Sequence, residues 1–408
     1  MQSLPKKSNS SHSIFLFAGE HSGDLLGADL MVELKKMNPN IRYWGVGGEK
    51  MMQNGFHSIH EIESLNIIGF TEILKKYGFL KSLLKRVVSA IQEQKPKLII
   101  LIDYPGFNLR LANEIRHLGI PIVFYVSPQI WAWKFNRIYK IKKNIDLMLT
   151  LFPFEEKIYQ EYGVNAKFVG HPIGKRIEDS IKLEPILPKL EPHSIKIGLL
   201  PGSRRSEIEL ITEPLLLAAK KFHTHFQENK KSVEFIIPNI NKYEETYIQT
   251  AISQLKNSTP NIKIHYIANA SLRTMQTSDL VLVASGTATL ETCYFLKPMV
   301  LVYKTKWLNF IIGSLLIDAK FIGLVNILSG RRVVRELLQG ECNPDTIFQE
   351  GLELLNNPKY RKEQIENLTK IKTELGNGNG ARIAALTIAD FLKKRAEQAL
   401  RSKHLPKN

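Results

Sequence analysis

The chain has 408 residues, 44% of them hydrophobic, and carries 56 Lys and Arg against 39 Asp and Glu for a net charge of +17. That length and apolar content suit a globular protein of two ordinary domains, and the charge calls for an acidic partner: nucleic acid, a phosphorylated small molecule or an anionic lipid surface. Cys293 and Cys342 have no second Cys or His at ligand spacing, which argues against a disulfide framework or a zinc site and fits a reducing compartment.

Lys6 and Lys7 precede "IFLFA", but this apolar run is too short for a signal peptide and leads into a Gly-rich loop, so it reads as a first strand. From there short aliphatic runs alternate with turns and helical stretches, the rhythm of βαβ units and parallel sheets. Strands are expected at Ile14–Ala18, Ile41–Val46, Leu98–Ile102, Ile122–Val126 and Leu147–Leu151, with helices starting near Asp24, Phe107 and Phe154. Residues 178–194, "EDSIKLEPILPKLEPHS", are Pro-rich and charged and read as an interdomain connection. The rhythm restarts with strands at Ile195–Leu200, Val233–Pro238, Lys263–Ile267, Leu280–Ala284 and Met299–Tyr303. Trp307–Leu328 is long enough to span a membrane but contains Asp318 and Lys320, which favours a soluble helix and loop. The fold class is α/β with two Rossmann-like domains in tandem, residues 1–180 and 195–375, followed by a C-terminal helix and polar tail, 376–408.

"LLPGSRRSEIE", Leu199–Glu209, delivers a strand to its C-terminal edge and turns it at Pro201-Gly202. Ser203, Arg204 and free amides then converge where a helix begins, a setting suited to a diphosphate. Ser206 and Glu209 are expected to form a capping box, with Thr212 and Pro214 starting the longer helix. "DLVLVASGTATLE" similarly runs a strand into Ser285, Gly286 and Thr287, with Thr287 expected to cap a helix and Glu291 one turn in, placed to accept ribose hydroxyls. Either turn alone also describes an ordinary α/β connection; together they describe a nucleotide-diphosphate site.

In the first half "AGEHSGD" is not the dinucleotide fingerprint, and Asp24 or Ser22 is expected to cap the helix that follows. Glu20 either bonds the loop amides or faces a sugar hydroxyl. "LIILIDYPGFN" ends an apolar strand at Asp103, a turn cap or a general base. "YVSPQIWAWKFNR" offers Trp131 and Trp133 as packing groups or as a sugar-stacking face, and Arg137 as a phosphate partner. "NIIGFTEILKKYGFLKSLLKRVV" is a basic amphipathic helix that packs on its own domain or lies on a membrane, with Ile68, Phe70 and Leu74 among its apolar residues.

The ordered set "AGEHSGD", "IDYPGFN", "YVSPQIWAW", "FVGHPI", "LPGSRRSEIE" and "SGTATLE", from about Ile14 to about Gln339, resembles the lipid-A-disaccharide synthase family. Each motif is weak alone and their joint order is specific. The resemblance implies an inverting glycosyltransferase of GT-B architecture, two Rossmann-like domains facing across a cleft, the first acceptor-binding and membrane-facing and the second binding the UDP-sugar. It implies transfer of diacylated glucosamine from UDP-2,3-diacylglucosamine to the 6-hydroxyl of 2,3-diacylglucosamine 1-phosphate, giving the β-1,6 disaccharide 1-phosphate and UDP.

By the same resemblance Asp103 and Glu20 are the catalytic candidates, and Arg204, Asn326 and Gln339 fall on family positions that bind UDP. Gly106 stands where a second acidic residue is expected, which leaves Asp103 the less ambiguous base, and Val325 stands where proline is expected. No cofactor and no metal are expected, since no carboxylate pair shows metal geometry. The partners implied are the two lipid substrates, an anionic membrane surface at the cytoplasmic face of the bacterial inner membrane, and a second copy in a homodimer. A nucleic-acid module lacks support, because the chain shows no RNP pattern, helix-turn-helix or zinc site. A UDP-N-acetylglucosamine epimerase, a peptidoglycan glycosyltransferase and a non-catalytic nucleotide-sugar sensor are the remaining alternatives.

Overall fold

The computed structural model of the chain describes residues 13–60, 62–65, 73–132, 134–239, 244–305, 320–376 and 378–403. The first sheet contains β1 (Ser13–Ala18), β2 (Arg42–Val46), β3 (Phe56–His60), β4 (Leu98–Ile102), β5 (Ile122–Tyr125), β6 (Leu147–Thr150) and β7 (Ala166–Phe168). Its order is β3-β2-β1-β4-β5-β6-β7, and every pairing is parallel. The second contains β8 (Ile195–Leu200), β9 (Val233–Asn239), β10 (Lys263–Ala268), β11 (Leu280–Ala284), β12 (Met299–Tyr303) and β13 (Glu336–Leu338). Its order is β10-β9-β8-β11-β12-β13, again parallel throughout.

Parallel strands buried on both faces need apolar residues at every position, because helices cover both sides. β4, "LIILI", is buried along its whole length. Alternation still sorts its side chains: Ile99 and Leu101 join Phe15 and Phe17 in one core, while Leu98, Ile100 and Ile102 join Ile14 and Leu16 in the other. Each connection between neighbouring strands is helical in the first half: α1 (His21–Met37), α2 (Glu49–Gln53), α3 (Ile73–Gln94), α4 (Pro105–Ile115), α5 (Arg137–Asn144) and α6 (Pro153–Glu161). After α7 (Ile173–Ser180) the second half uses α8 (Arg205–Glu228), α9 (Glu245–Ser258), α10 (Ser271–Thr277) and α11 (Thr287–Tyr294), then shorter and longer helices to Lys403.

The chain divides into two compact units, residues 173–378 and the remainder. The last helix, Gly380–Lys403, belongs to the first unit: Ala384, Ala385 and Ile388 are buried in the core that holds β1 and β4. The Pro-rich stretch 178–194 is anchored to the second unit, where the Glu184 carboxylate accepts the amides of Leu272 and Arg273 at 2.9 and 2.7 Å. Buried Glu234 accepts the Glu191 amide and the Ser194 hydroxyl at 2.7 and 2.5 Å. Among the described residues, no helix is long and apolar enough to cross a membrane. Of the stretch 307–328, residues 307–319 lie outside the described residues and Leu324–Ser329 form a short helix.

Local capping departs from expectation in three places. Asp24 caps α2 rather than its own helix: its buried carboxylate accepts the amides of Gly48, Lys50 and Met51 at 2.9, 3.0 and 3.1 Å. The helix after β8 runs unbroken from Arg205 through Pro214, with Glu207 rather than Glu209 bonding the amides ahead of it. The cap position of α11 is Gly286, and Thr287 is its first residue.

Candidate active site

In both sheets the chain grows outward from its first strand on one side and then crosses to the other. This creates a switch point between β1 and β4, and another between β8 and β11. Doubly wound sheets bind ligands at such points, outside the carboxyl ends of the strands, where the two flanking loops part. Glu20 follows β1 and Asp103 follows β4; Ser203 and Arg204 follow β8, and Ser285, Gly286 and Thr287 follow β11.

On the second unit a cavity of about 250 Å³ occupies this switch point, and its lining includes Ser203, Arg204, Glu207, Ser285, Gly286, Thr287 and Glu291. Gly286 has φ +151 and ψ −161, a region that essentially only glycine enters. A Cβ there would meet nothing within 4 Å, so backbone conformation and not crowding demands the glycine. Thr287 and Ala288, the first residues of α11, line the cavity, and the amides of a helix's first turn lack intrahelical partners. On the other wall Glu207 accepts the amides of Ser203 and Arg204, both at 3.3 Å, and the Arg204 guanidinium at 2.7 Å. Donors expected to face an anion are thus held by an internal carboxylate, at long distance for the amides, and Arg204 is largely exposed.

Glu291 is half-buried beside the cavity, and burial, then the nearby Glu184 charge, pushes its carboxyl above the usual carboxylate range. Asn326 and Gln339 do not line this cavity. Asn326 is fully buried: it accepts the amides of Val333 and Val334 at 2.8 and 2.9 Å and donates to Val334 O and Glu336 Oε1 at 2.7 and 2.8 Å. Gln339 exchanges two hydrogen bonds with the main chain of Thr305, at 2.8 and 3.1 Å. Both side chains clamp loops.

On the first unit Glu20, exposed at the start of α1, and the half-buried Asp103 sit at the ends of adjacent strands, since Ala18 pairs with Ile102. Asp103 and Tyr104 are consecutive left-handed residues, both with φ +49. Val126, at the end of neighbouring β5, has φ +73, an outlier for a β-branched residue. Such strain gathers where the surroundings over-determine a functional loop. Here the Asp103 amide donates to Tyr125 O at 2.8 Å and Asn108 Nδ2 donates to Asp103 O at 2.7 Å. The Tyr104 ring lies over Gly19, where a Cβ would come within 2.6 Å. Burial, then the Glu20 charge, raises the Tyr104 phenol.

Trp131 donates its indole N–H to Glu155 Oε1 at 3.1 Å and packs edge-on against Phe154. Glu155 is buried, and desolvation raises its carboxyl to about 7 against the pull of its hydrogen bonds. Arg137 opens α5 and lines a separate cavity on the same unit. Trp133, Ile68 and Phe70 lie outside the described residues, as does the side chain of Leu74. The described part of α3 packs Leu83, Val87 and Ile91 into the core and leaves Lys81, Lys85 and Arg86 exposed. Sequence alone does not single out Asn108, Glu155 or Glu336, because a lone polar residue inside an apolar run gives no hint of its main-chain partner.

Two parallel-sheet α/β Rossmann-like domains, each with its own switch point, place the chain in the GT-B class of fold. Solved structures agree on the fold. A UDP-GlcNAc 2-epimerase from Neisseria meningitidis bound to UDP-GlcNAc matches with TM-score 0.59 at 13% identity, covering 93% of this chain and 99% of that one. The calicheamicin glycosyltransferase CalG4 matches with TM-score 0.58 at 11% identity, covering 95% and 99%. The family model described as lipid-A-disaccharide synthetase matches residues 14–387. A lipid-A-disaccharide synthase of Coxiella burnetii (strain CbuG_Q212) is 37% identical over 386 residues, 94% of this chain and 99% of that protein. That of Syntrophus aciditrophicus is 36% identical over 383 residues, 93% and 98%. The chain belongs to the lipid-A-disaccharide synthetase family and is a glycosyltransferase of lipid A biosynthesis.

Proposed function

We propose that the family's reaction, joining UDP-2,3-diacylglucosamine to 2,3-diacylglucosamine 1-phosphate, runs here with Asp103 as the base and the second unit holding UDP. The observation that carries this reading is that each unit places its candidate loops at its own switch point. Asp103 takes the proton of the acceptor 6-hydroxyl as that oxygen attacks the anomeric carbon. The bond to UDP breaks on the opposite face, and the diphosphate leaves with the electron pair. Arg204, the hydroxyls of Ser203, Ser285 and Thr287, and the first amides of α11 stabilise the charge that develops on it. An incoming diphosphate displaces Glu207 from the loop amides and Arg204, exchanging one anionic acceptor for another. Glu291 receives the ribose hydroxyls. Glu20 assists on the acceptor side, where Trp131 and Trp133 border the sugar.

Asn326 and Gln339 serve the UDP site indirectly, by holding the loops that approach Glu336 and Thr305. Ile68, Phe70 and Leu74, with the basic face of α3, rest the first unit on an anionic membrane at the cytoplasmic face of the inner membrane, and the active form is a homodimer. Vesicle partition and sedimentation test these last two statements separately. The central test is incubation of the purified protein with both lipid substrates, reading disaccharide and UDP by mass spectrometry. A folded protein that binds UDP and makes no disaccharide overturns the reading.

A further inference from the structure

On the first unit a cavity of about 740 Å³ lies between α4 and α5, with Leu84 of α3 beside it. Its lining is unbalanced in charge. Arg110 from α4, Lys134 ahead of α5, and Arg137, Lys140 and Lys143 from α5 supply five cations, against the single carboxylate of Glu114. Arg110, Lys140 and Lys143 make no ion pair with any described residue. Cations gathered around one cavity repel one another, and a shared anion relieves that repulsion.

The position of the cavity narrows the choice of anion. Pro105 and Gly106, which open α4, are part of the lining and follow Asp103 by two and three residues. A guanidinium fork beside several ammonium groups suits the tetrahedral oxygens of a phosphate, with bidentate contact from Arg and point charges from Lys. Asp103 itself is not part of the lining, and the cavity reaches the loop of the proposed base only at its Pro105–Gly106 end.

We propose that this cavity is the phosphate site of the first unit and takes a phosphate carried by a lipid, foremost the 1-phosphate of the acceptor sugar. The inference rests on the glycosyltransferase reading above and extends it to acceptor recognition. Holding the 1-phosphate along α4 fixes the ring by one end and directs the 6-hydroxyl at the other end towards Asp103. It also supplies discrimination between the two lipid substrates, because the donor presents a diphosphate esterified to uridine in place of a free phosphomonoester.

The test is Arg110→Gln combined with Lys140→Gln, checked first for an unchanged melting temperature. A basic side chain facing a lipid phosphate contributes about 1 kcal/mol, so KM for the phosphorylated acceptor is expected to rise about five-fold per charge removed. An acceptor analogue lacking the 1-phosphate is expected to show no such rise. A second arm measures partition onto phosphatidylcholine vesicles with and without phosphatidylglycerol. A loss of binding to the anionic vesicles with an unmoved KM assigns the cavity to a lipid headgroup, which keeps the phosphate site and moves its source. If neither KM nor partition changes in a folded variant, the cavity holds no phosphate and the inference fails. Absence of product from the unmutated protein, by contrast, defeats the glycosyltransferase reading itself.

Discussion

The side-chain amide of Asn108, fully buried on α4, donates to the main-chain carbonyl of Asp103 at 2.7 Å and to that of Ile102 at 3.3 Å. These bonds hold the loop while Asp103 and Tyr104 adopt left-handed backbone. Asp103→Asn keeps the shape and removes the base, so kcat is expected to fall by about 10² to 10⁴ with the melting temperature unchanged. Asn108→Ala leaves Asp103 in place but frees its loop; kcat is expected to fall while the affinity for UDP, measured by calorimetry, holds. Near-normal turnover by Asp103→Asn would remove it from the base role.

Gly286→Ala forces a side chain into a backbone region reserved for glycine, at a cost of about 1 to 3 kcal/mol. UDP affinity is expected to drop with stability. Gly340→Ala is the control, because Gly340 has ordinary φ and a Cβ there meets nothing within 4 Å. Equal behaviour of the two variants in chemical denaturation would show that the turn geometry at Gly286 does not matter.

Arg204→Ala removes the charged donor at the diphosphate. A loss of about 10² to 10³ in kcat is expected, the scale of one donor aimed at developing negative charge. With charge stabilisation assigned to Arg204 and the α11 amides, turnover is expected to survive exhaustive EDTA; abolition by chelator and recovery with magnesium would contradict that assignment.

Glu155 gives a pH signature of stability. Its folded carboxyl sits at about 7 against an ordinary 4.5 because burial disfavours the charged form. Between these values the native state holds a proton that the unfolded state has lost, so unfolding free energy falls as pH rises through the window and levels off above it. The full difference is about 3 kcal/mol. Glu155→Gln is expected to flatten that slope in urea titrations while keeping the acceptor for Trp131, and an unchanged slope would show that Glu155 does not titrate there.

Asp24→Ala deletes the acceptor for three buried or half-buried amides around α2. Hydrogen bonds to a charged group and the orphaned donors together set the scale at about 2 to 4 kcal/mol. The midpoint of thermal unfolding should fall accordingly, and Asp24→Asn, which retains one acceptor oxygen, should lose less.

Legibility in the sequence followed burial. β4 and β11 are apolar along their lengths, β1 and β8 are so apart from Ser13 and Lys196 near their starts, and all four lead into Gly, Pro or Ser turns, so both the strands and the loops that carry Glu20, Asp103, Arg204 and Ser285 stand out from residue pattern alone. β3, "FHSIH", and the three-residue β7 and β13 do not, because edge strands bury one side and mix polar residues into a short run. Capping was the other gap. Ser206 with Glu209 satisfies the capping pattern, yet Glu207 lies nearer the amides of Ser203 and Arg204 and takes them. Asp24 is read naturally as serving its own helix, and its real partners lie at Gly48, Lys50 and Met51, a long-range choice that local spacing does not encode.

The return of the helix Gly380–Lys403 to the core of β1 and β4 means that the second unit is an insertion within the first. During synthesis residues 173–378 can complete their own core while the earlier-made lobe still lacks Ala384, Ala385 and Ile388. The half that emerges first from the ribosome is therefore the half that finishes folding last, and the proposed base waits on the final thirty or so residues for a closed hydrophobic floor.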